Sequence, residues 1–195
     1  MHREKSTTIA QEIKTQIVIL GSFVAVMWGV EILDAVVFGH RLNALGIRPR
    51  SINGLWGILF MPFLHGNFAH LIANTLPFVT LGWLIMLRET SDFFVVTILS
   101  MLVGGLGIWL IGSPFSVHIG ASGVVFGYLG YLLLRGYFER SVTAIGFSIV
   151  VAILYGGTLF GLLPIHRGIS WEGHLFGFLG GVLAAYLLAK RPTGT

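Results

Sequence analysis

Four residues in this 195-residue sequence have the types and settings for nucleophilic and acid–base chemistry. Ser122 stands in Gly120-Ala-Ser-Gly123, His174 stands in Gly173-His-Leu-Phe-Gly177, and His70 and Asn74 lie four positions apart. A serine hydroxyl is a poor nucleophile until a neighbouring base takes its proton, and neutral imidazole suits that task near pH 7. Acyl transfer also needs donors aimed at the developing oxyanion. At i and i+4 on a helix, His70 and Asn74 project from one face and offer an imidazole N–H and a carboxamide N–H. The backbone N–H of Ser122, at a helix start, adds another donor and a favourable dipole. No carboxylate is well placed to complete a triad. Glu172 precedes His174 by two residues, a spacing that turns it away on a helix, so the set reads as a serine–histidine dyad.

The elements that must position these groups are membrane helices. The chain is 55% hydrophobic and 10% charged, with 27 glycines, no cysteine and a mean hydropathy of +0.87. A soluble domain carries about 25% charged residues, so an ordinary cytosolic enzyme and a disordered chain are both excluded. The absence of cysteine excludes disulfides and thiolate metal sites. The net charge of +4 is no nucleic-acid signal, because the basic residues fall between apolar runs as topology anchors. Apolar runs at about 17–38, 69–87, 93–111, 121–134, 142–163 and 173–188 predict an all-α polytopic protein of six transmembrane helices. The first run is too long for a signal-peptide core and is read as an uncleaved span. The run 57–66 is too short to span and contains Pro62, so it is read as a re-entrant part of the first outer loop. One domain covers 1–195, opening with a short cytoplasmic segment, 1–15.

With the N-terminus inside, Arg3, Lys5, Lys14, Arg88, Arg135, Arg140, Lys190 and Arg191 fall on the cytoplasmic side, against Arg41, Arg48, Arg50 and Arg167 outside. Both termini are therefore expected in the cytoplasm. Every even-numbered helix then starts at the outer face. Ser122 precedes Arg135 by 13 residues, His174 precedes Lys190 by 16 and Asn74 precedes Arg88 by 14, or roughly 20, 24 and 21 Å at the helical rise. In a hydrocarbon layer about 30 Å thick, all three lie at one depth, some 6–10 Å below the outer surface. The pairs Gly123/Gly127 and Gly177/Gly181 have the GxxxG spacing that lets two helix backbones approach closely, which would set Ser122 beside His174.

The remaining polar residues are read as supporting. Glu31 and Asp34 are expected at an outer helix end reaching headgroups or water. His65 is expected to hydrogen-bond locally and hold its loop. His118 either lines the approach to Ser122 or is solvated, and His2, His40 and His166 are expected exposed. No metal or cofactor is expected, since His65, His70 and His174 lack sulfur or a nearby carboxylate.

The segments His65-Gly-Asn-Phe-Ala-His70-Leu-Ile-Ala-Asn74, Gly120-Ala-Ser-Gly123 and Gly173-His-Leu-Phe-Gly177-Phe-Leu-Gly-Gly181 resemble, in order and placement, the rhomboid family of intramembrane serine proteases. The resemblance spans about 17–188 and implies cleavage of peptide bonds in or beside a substrate's transmembrane segment. It implies Ser122 as nucleophile, His174 as general base, and His70, Asn74 and the Ser122 backbone as oxyanion hole. Gly120, Gly123, Gly177, His65, Trp56 and Phe126 are supporting positions. Trp56 stands where the family has the tryptophan of a Trp-Arg pair, but Gly57 replaces the arginine. Phe126 stands where some members have a tyrosine against the base. The implied partners are the lipid bilayer and transmembrane protein substrates, admitted between the second and fifth helices. Helix-weakening residues near the cut would help such a substrate unwind. Compactness and the absence of a transit peptide point to a bacterial plasma membrane, with the site opening to the outer side. Two other readings are weaker. A non-cutting rhomboid-like binder of membrane segments would be expected to have lost Ser122 or His174. A transporter or haem protein would be expected to show a charged midplane relay or paired histidines.

Overall fold

The computed structural model describes residues 2–165 and 168–190, with side chains from residue 8 onward. Six long helices carry the fold: α1 (His2–Leu33), α2 (Phe68–Met86), α3 (Thr90–Ile111), α4 (Ser122–Glu139), α5 (Val142–Tyr155) and α6 (Trp171–Ala189). No strand longer than one bridge occurs among the described residues. Five helical stretches are long and apolar enough to cross a membrane: Thr8–Phe38, Phe68–Met86, Thr90–Ile111, Val142–Leu162 and Trp171–Ala189. The protein is therefore an all-helical, polytopic integral membrane protein.

α4 is not among those five, and its packing says why. It lies against α2, α3, α5 and α6, and 11 of its 18 residues are buried. A helix enclosed by protein has no need of leucine to face lipid and can use small and polar residues to fit its neighbours. Cα atoms do that fitting here. A Cβ on Gly127 would fall 3.0 Å from the Gly177 carbonyl oxygen, and one on Gly181 would collide with the Gly127 carbonyl. The two GxxxG faces therefore meet, as the spacing predicts. α6 is held on its other side by α3, where a Cβ on Gly180 would lie 2.7 Å from the Leu99 carbonyl oxygen. Below this contact the core is aromatic: Phe78, Phe93 and Tyr128 are all buried, and Tyr128 hydrogen-bonds Thr97 at 2.8 Å.

Several boundaries move. α4 extends past the apolar run to Glu139 because its polar end is paired inside the bundle. Arg88 bridges Asp92 and Glu139, each at 3.1 Å, and Arg135 bridges Glu139 at 2.9 Å. Arg88 and Arg135, counted above as anchors, are thus mostly buried and ion-paired. The two carboxylates raise the Arg88 pKa against the opposing effect of burial. α5 ends early at Gly156-Gly157 and continues as 3-10 turns to Leu162. Of the five long apolar stretches it is the least buried, with only Ala144 and Val151 buried in α5.

The expectation for Glu31 and Asp34 is overturned, since both are buried. α1 ends in a π-turn, Asp34–Phe38, and the 3-10 turn Leu42–Leu45 folds back over it. The Leu42 N–H donates to Asp34 Oδ1 at 2.9 Å. His40 is exposed as expected. The side chains of His2, Arg3 and Lys5, and residues His166, Arg167 and Arg191, lie outside the described residues. The run 57–66 forms one helical turn, Gly57–Phe60, and a 3-10 turn, Met61–Phe63, with Ile58, Met61 and Leu64 buried.

Candidate active site

Ser122 opens α4 and His174 lies in the first turn of α6. The glycine contact brings these two helix starts together. The Ser122 hydroxyl meets His174 Nε2 at 2.9 Å. His174 Nδ1 lies 2.9 Å from the Gly161 carbonyl oxygen. A carbonyl only accepts, so Nδ1 carries the proton and Nε2 presents its lone pair to the serine O–H. The group that orients the base is therefore a backbone carbonyl at the end of the 3-10 stretch after α5. Among the described residues the His174 ring bonds Gly161 and Ser122, and no hydrogen bond or ion pair joins it to Glu172. Phe126 stacks on that ring at 4.1 Å between centroids and 14° between planes, so the aromatic contact survives without a tyrosine hydroxyl.

The donor set lies opposite. The Asn67 side chain caps α2, accepting from the His70 N–H at 2.8 Å. One face of α2 then presents both His70 and Asn74 to the residue two before Ser122. That residue is Gly120, with φ +112°, where a Cβ would lie 2.7 Å from the His70 ring and 3.6 Å from Asn74 Nδ2. Only glycine tolerates both the backbone angle and the crowding. Asn74 is buried, and its Nδ2 has no hydrogen-bond partner among the described residues. An unpaired buried donor is costly, and Asn74 lines the same cavity as the serine. A cavity of about 800 Å³ covers the pair, lined in part by Ser122, His174, His70, Asn74, His118 and Glu172.

The loop before α4 is stitched on both sides. Ile47 and His118 exchange backbone hydrogen bonds at 3.0 and 2.9 Å, and the Gly120 N–H donates to the Met61 carbonyl at 2.9 Å. The His118 ring is buried and bonded at both nitrogens. Ser116 Oγ donates to the Ser113 carbonyl at 2.6 Å, so it accepts from His118 Nε2–H at 2.7 Å. Nδ1 is then the acceptor, and Ser170 Oγ–H donates to it at 2.6 Å. Ser170 in turn caps α6, accepting from the Gly173 N–H at 3.3 Å. Burial lowers the His118 pKa, against a smaller raising effect of Glu172, which favours this neutral tautomer.

His65 is buried, and its ring packs edge-on to His70 at 5.1 Å. Its one local polar neighbour is the Phe63 backbone, the kind of contact expected to hold this loop, although neither ring nitrogen reaches full hydrogen-bond geometry among the described residues. Burial, reinforced by the nearby His70, lowers its pKa to about 4. Trp56 is 67% exposed at the rim of the first loop. Beside it, Gly57 packs on the backbone of Gly46 and Ile47, with no room for a Cβ. Residue spacing gave no sign of the Gly161 carbonyl, which has no side-chain signature. Ser170 was findable as a helix N-cap, a serine three residues before Gly173 at the start of an apolar helix.

The profile of the Rhomboid domain matches residues 53–191, most of the chain. The chain belongs to the rhomboid family. An uncharacterized protein of Mycobacterium tuberculosis is 46% identical over 176 residues, covering 86% of this rhomboid and 73% of the relative. The putative rhomboid protease YdcA of Bacillus subtilis is 30% identical over 154 residues, covering 77% and 76%. The rhomboid protease GluP of the same organism is 32% identical over 161 residues, 80% of this chain and 31% of that one. The profile match takes in all four residues singled out for chemistry, and also Gly161, Ser170 and His118.

Proposed function

We propose that this rhomboid cuts peptide bonds in or beside transmembrane segments, with Ser122 as nucleophile and His174 as general base. Family membership makes the chain a membrane-embedded peptide hydrolase of the serine class. The observation that carries the residue assignment is the 2.9 Å contact between Ser122 Oγ and His174 Nε2, with the base fixed in the correct tautomer by Gly161.

The steps follow from that geometry. Ser122 Oγ attacks the substrate carbonyl carbon as His174 Nε2 takes its proton. The oxyanion forms among His70, Asn74 and the Ser122 N–H. The C–N bond then breaks, and His174 returns the proton to the leaving amine. Water entering the polar cavity, deprotonated by the same imidazole, attacks the acyl carbon, and Oγ departs with the proton. Nothing in this sequence calls on a metal or cofactor.

We read the whole chain, 1–195, as one six-span domain, with α4 as the sixth span shielded from lipid by its neighbours. The turns between Gly57 and Gly66 then form a re-entrant element, both termini face the cytoplasm of a bacterial plasma membrane, and the cavity opens outward. Substrates are transmembrane proteins arriving through the bilayer between α2 and α5. Thr80 and Tyr155 share a hydrogen bond there, and α5 buries little else.

The test is labelling with a serine-directed fluorophosphonate alongside cleavage of a membrane-anchored reporter. Wild type should label and cut. Ser122→Ala should do neither, and His174→Ala should lose cleavage while both variants stay folded and inserted. Persistent cutting by either variant would refute the assignment.

A further inference from the structure

Among the described residues lining the cavity over Ser122, Glu172 alone carries a formal charge. The other lining side chains are neutral, chiefly serine, asparagine, histidine and apolar groups. Glu172 is half-buried, and no described residue pairs with it. Its place in the first turn of α6 explains why an ionised carboxylate is tolerated, since the helix N-terminus favours negative charge. It does not explain why a glutamate lines this cavity. His118 is close enough to feel Glu172, but burial lowers its pKa, so at neutral pH it offers no counter-charge.

Trp171, the residue before Glu172, lines the same cavity. A cavity wall that offers a carboxylate and, separately, an indole is a chemical setting for a side chain with an ammonium or guanidinium head and an apolar stem, through charge-assisted hydrogen bonds at the head. The cavity, at about 800 Å³, is in the size range of sites that enclose whole ligands. A partly dry setting also strengthens an ion pair relative to open solvent.

We propose that Glu172 selects substrates carrying a lysine or arginine beside the scissile bond. The inference rests on the protease reading, because it takes the cavity over Ser122 to be where the substrate chain lies. In the bound substrate, the basic side chain reaches from the segment flanking the cut to the Glu172 carboxylate, with its apolar stem along Trp171.

The test uses full-length protein in liposomes and a reporter with one transmembrane helix, its cut mapped by mass spectrometry. Lysine, methionine and glutamate are placed in turn at each of the positions flanking the cut. At one or more positions wild type should favour lysine over methionine by about tenfold in kcat/KM and disfavour glutamate. The preference should weaken as salt is raised, as a partly solvated ion pair requires. Glu172→Gln should bring the lysine-to-glutamate ratio close to one, and Glu172→Lys should invert it. Wild type that cuts without preferring lysine at any position, or a ratio unchanged in Glu172→Lys, overturns the inference. If Glu172→Lys does not fold, the ratio in Glu172→Gln and the salt dependence in wild type decide it. Wild type that neither labels with fluorophosphonate nor cuts removes the protease reading itself, and the inference with it.

Discussion

At the scale of single residues, the buried amide of Asn74 invites a direct trial. Its Nδ2 has no partner among the described residues, so the folded state gains nothing from the donor and bears its desolvation. Asn74→Leu should therefore cost little stability, about 1 kcal/mol or less, while lowering kcat about a hundredfold through loss of an oxyanion donor. Thermal melting beside reporter kinetics separates the two effects; a large drop in melting temperature with activity intact would reverse the assignment. The histidines make a second prediction. Activity requires neutral His174, so the rate should fall on acidification with one proton taken up. His65 should affect stability instead. Its folded pKa of about 4 lies below the ordinary value of 6.5, so between those pH values the unfolded chain binds a proton that the folded chain refuses. Stability from this group is complete above pH 6.5 and is lost as pH falls towards 4. The melting temperature should drop between pH 7 and 5, and should drop less in His65→Gln.

At the scale of elements, the start of α6 is set by a relay of hydrogen bonds from the loop that precedes α4. Ser113, Ser116, His118 and Ser170 are joined in one direction, ending at the cap of the helix that carries His174. Ser170→Ala removes the cap, worth about 1 kcal/mol, and His118→Ala removes the group that aims it. Each single change should slow cleavage about tenfold. The double variant should be little worse than either, because both break one chain. Additive losses measured in that cycle would mean that the two act separately. This relay also marks how far the sequence was legible. Ser122, His174, His70 and Asn74 could be found because side-chain chemistry and helical spacing are written in residue types. GxxxG spacing likewise foretold the α4–α6 contact. Gly161 contributes a carbonyl that every residue possesses, so only the fold picks it out. Glu31 and Asp34 were misplaced because a helix end reads as exposed until the loop that covers it is known.

At the scale of the whole molecule, the two ends of the bundle are held differently. One end is closed by Arg88, Asp92, Arg135 and Glu139, with Tyr131 donating to Asp92 at 3.2 Å and Arg88 to the Leu188 carbonyl at 3.1 Å. The other end carries the cavity and depends on backbone approach between α4 and α6. The hydroxyl and imidazole sit on different helices, so helix separation and dyad separation are one quantity. Gly181 tests that link. A methyl there would meet the Gly127 carbonyl, which is helix backbone and cannot turn aside. Gly181→Ala should therefore push the helices apart, destabilise the protein by about 1–3 kcal/mol, and slow fluorophosphonate labelling of Ser122 more than about tenfold, although the substitution lies nearly two turns from His174. Gly146 on α5 supplies the control, since a Cβ there meets nothing within 4 Å. Gly146→Ala should leave labelling unchanged and raise stability by up to about 1 kcal/mol through helix propensity alone. If the two substitutions prove equivalent in melting and labelling, close backbone contact is not what holds the serine to its base.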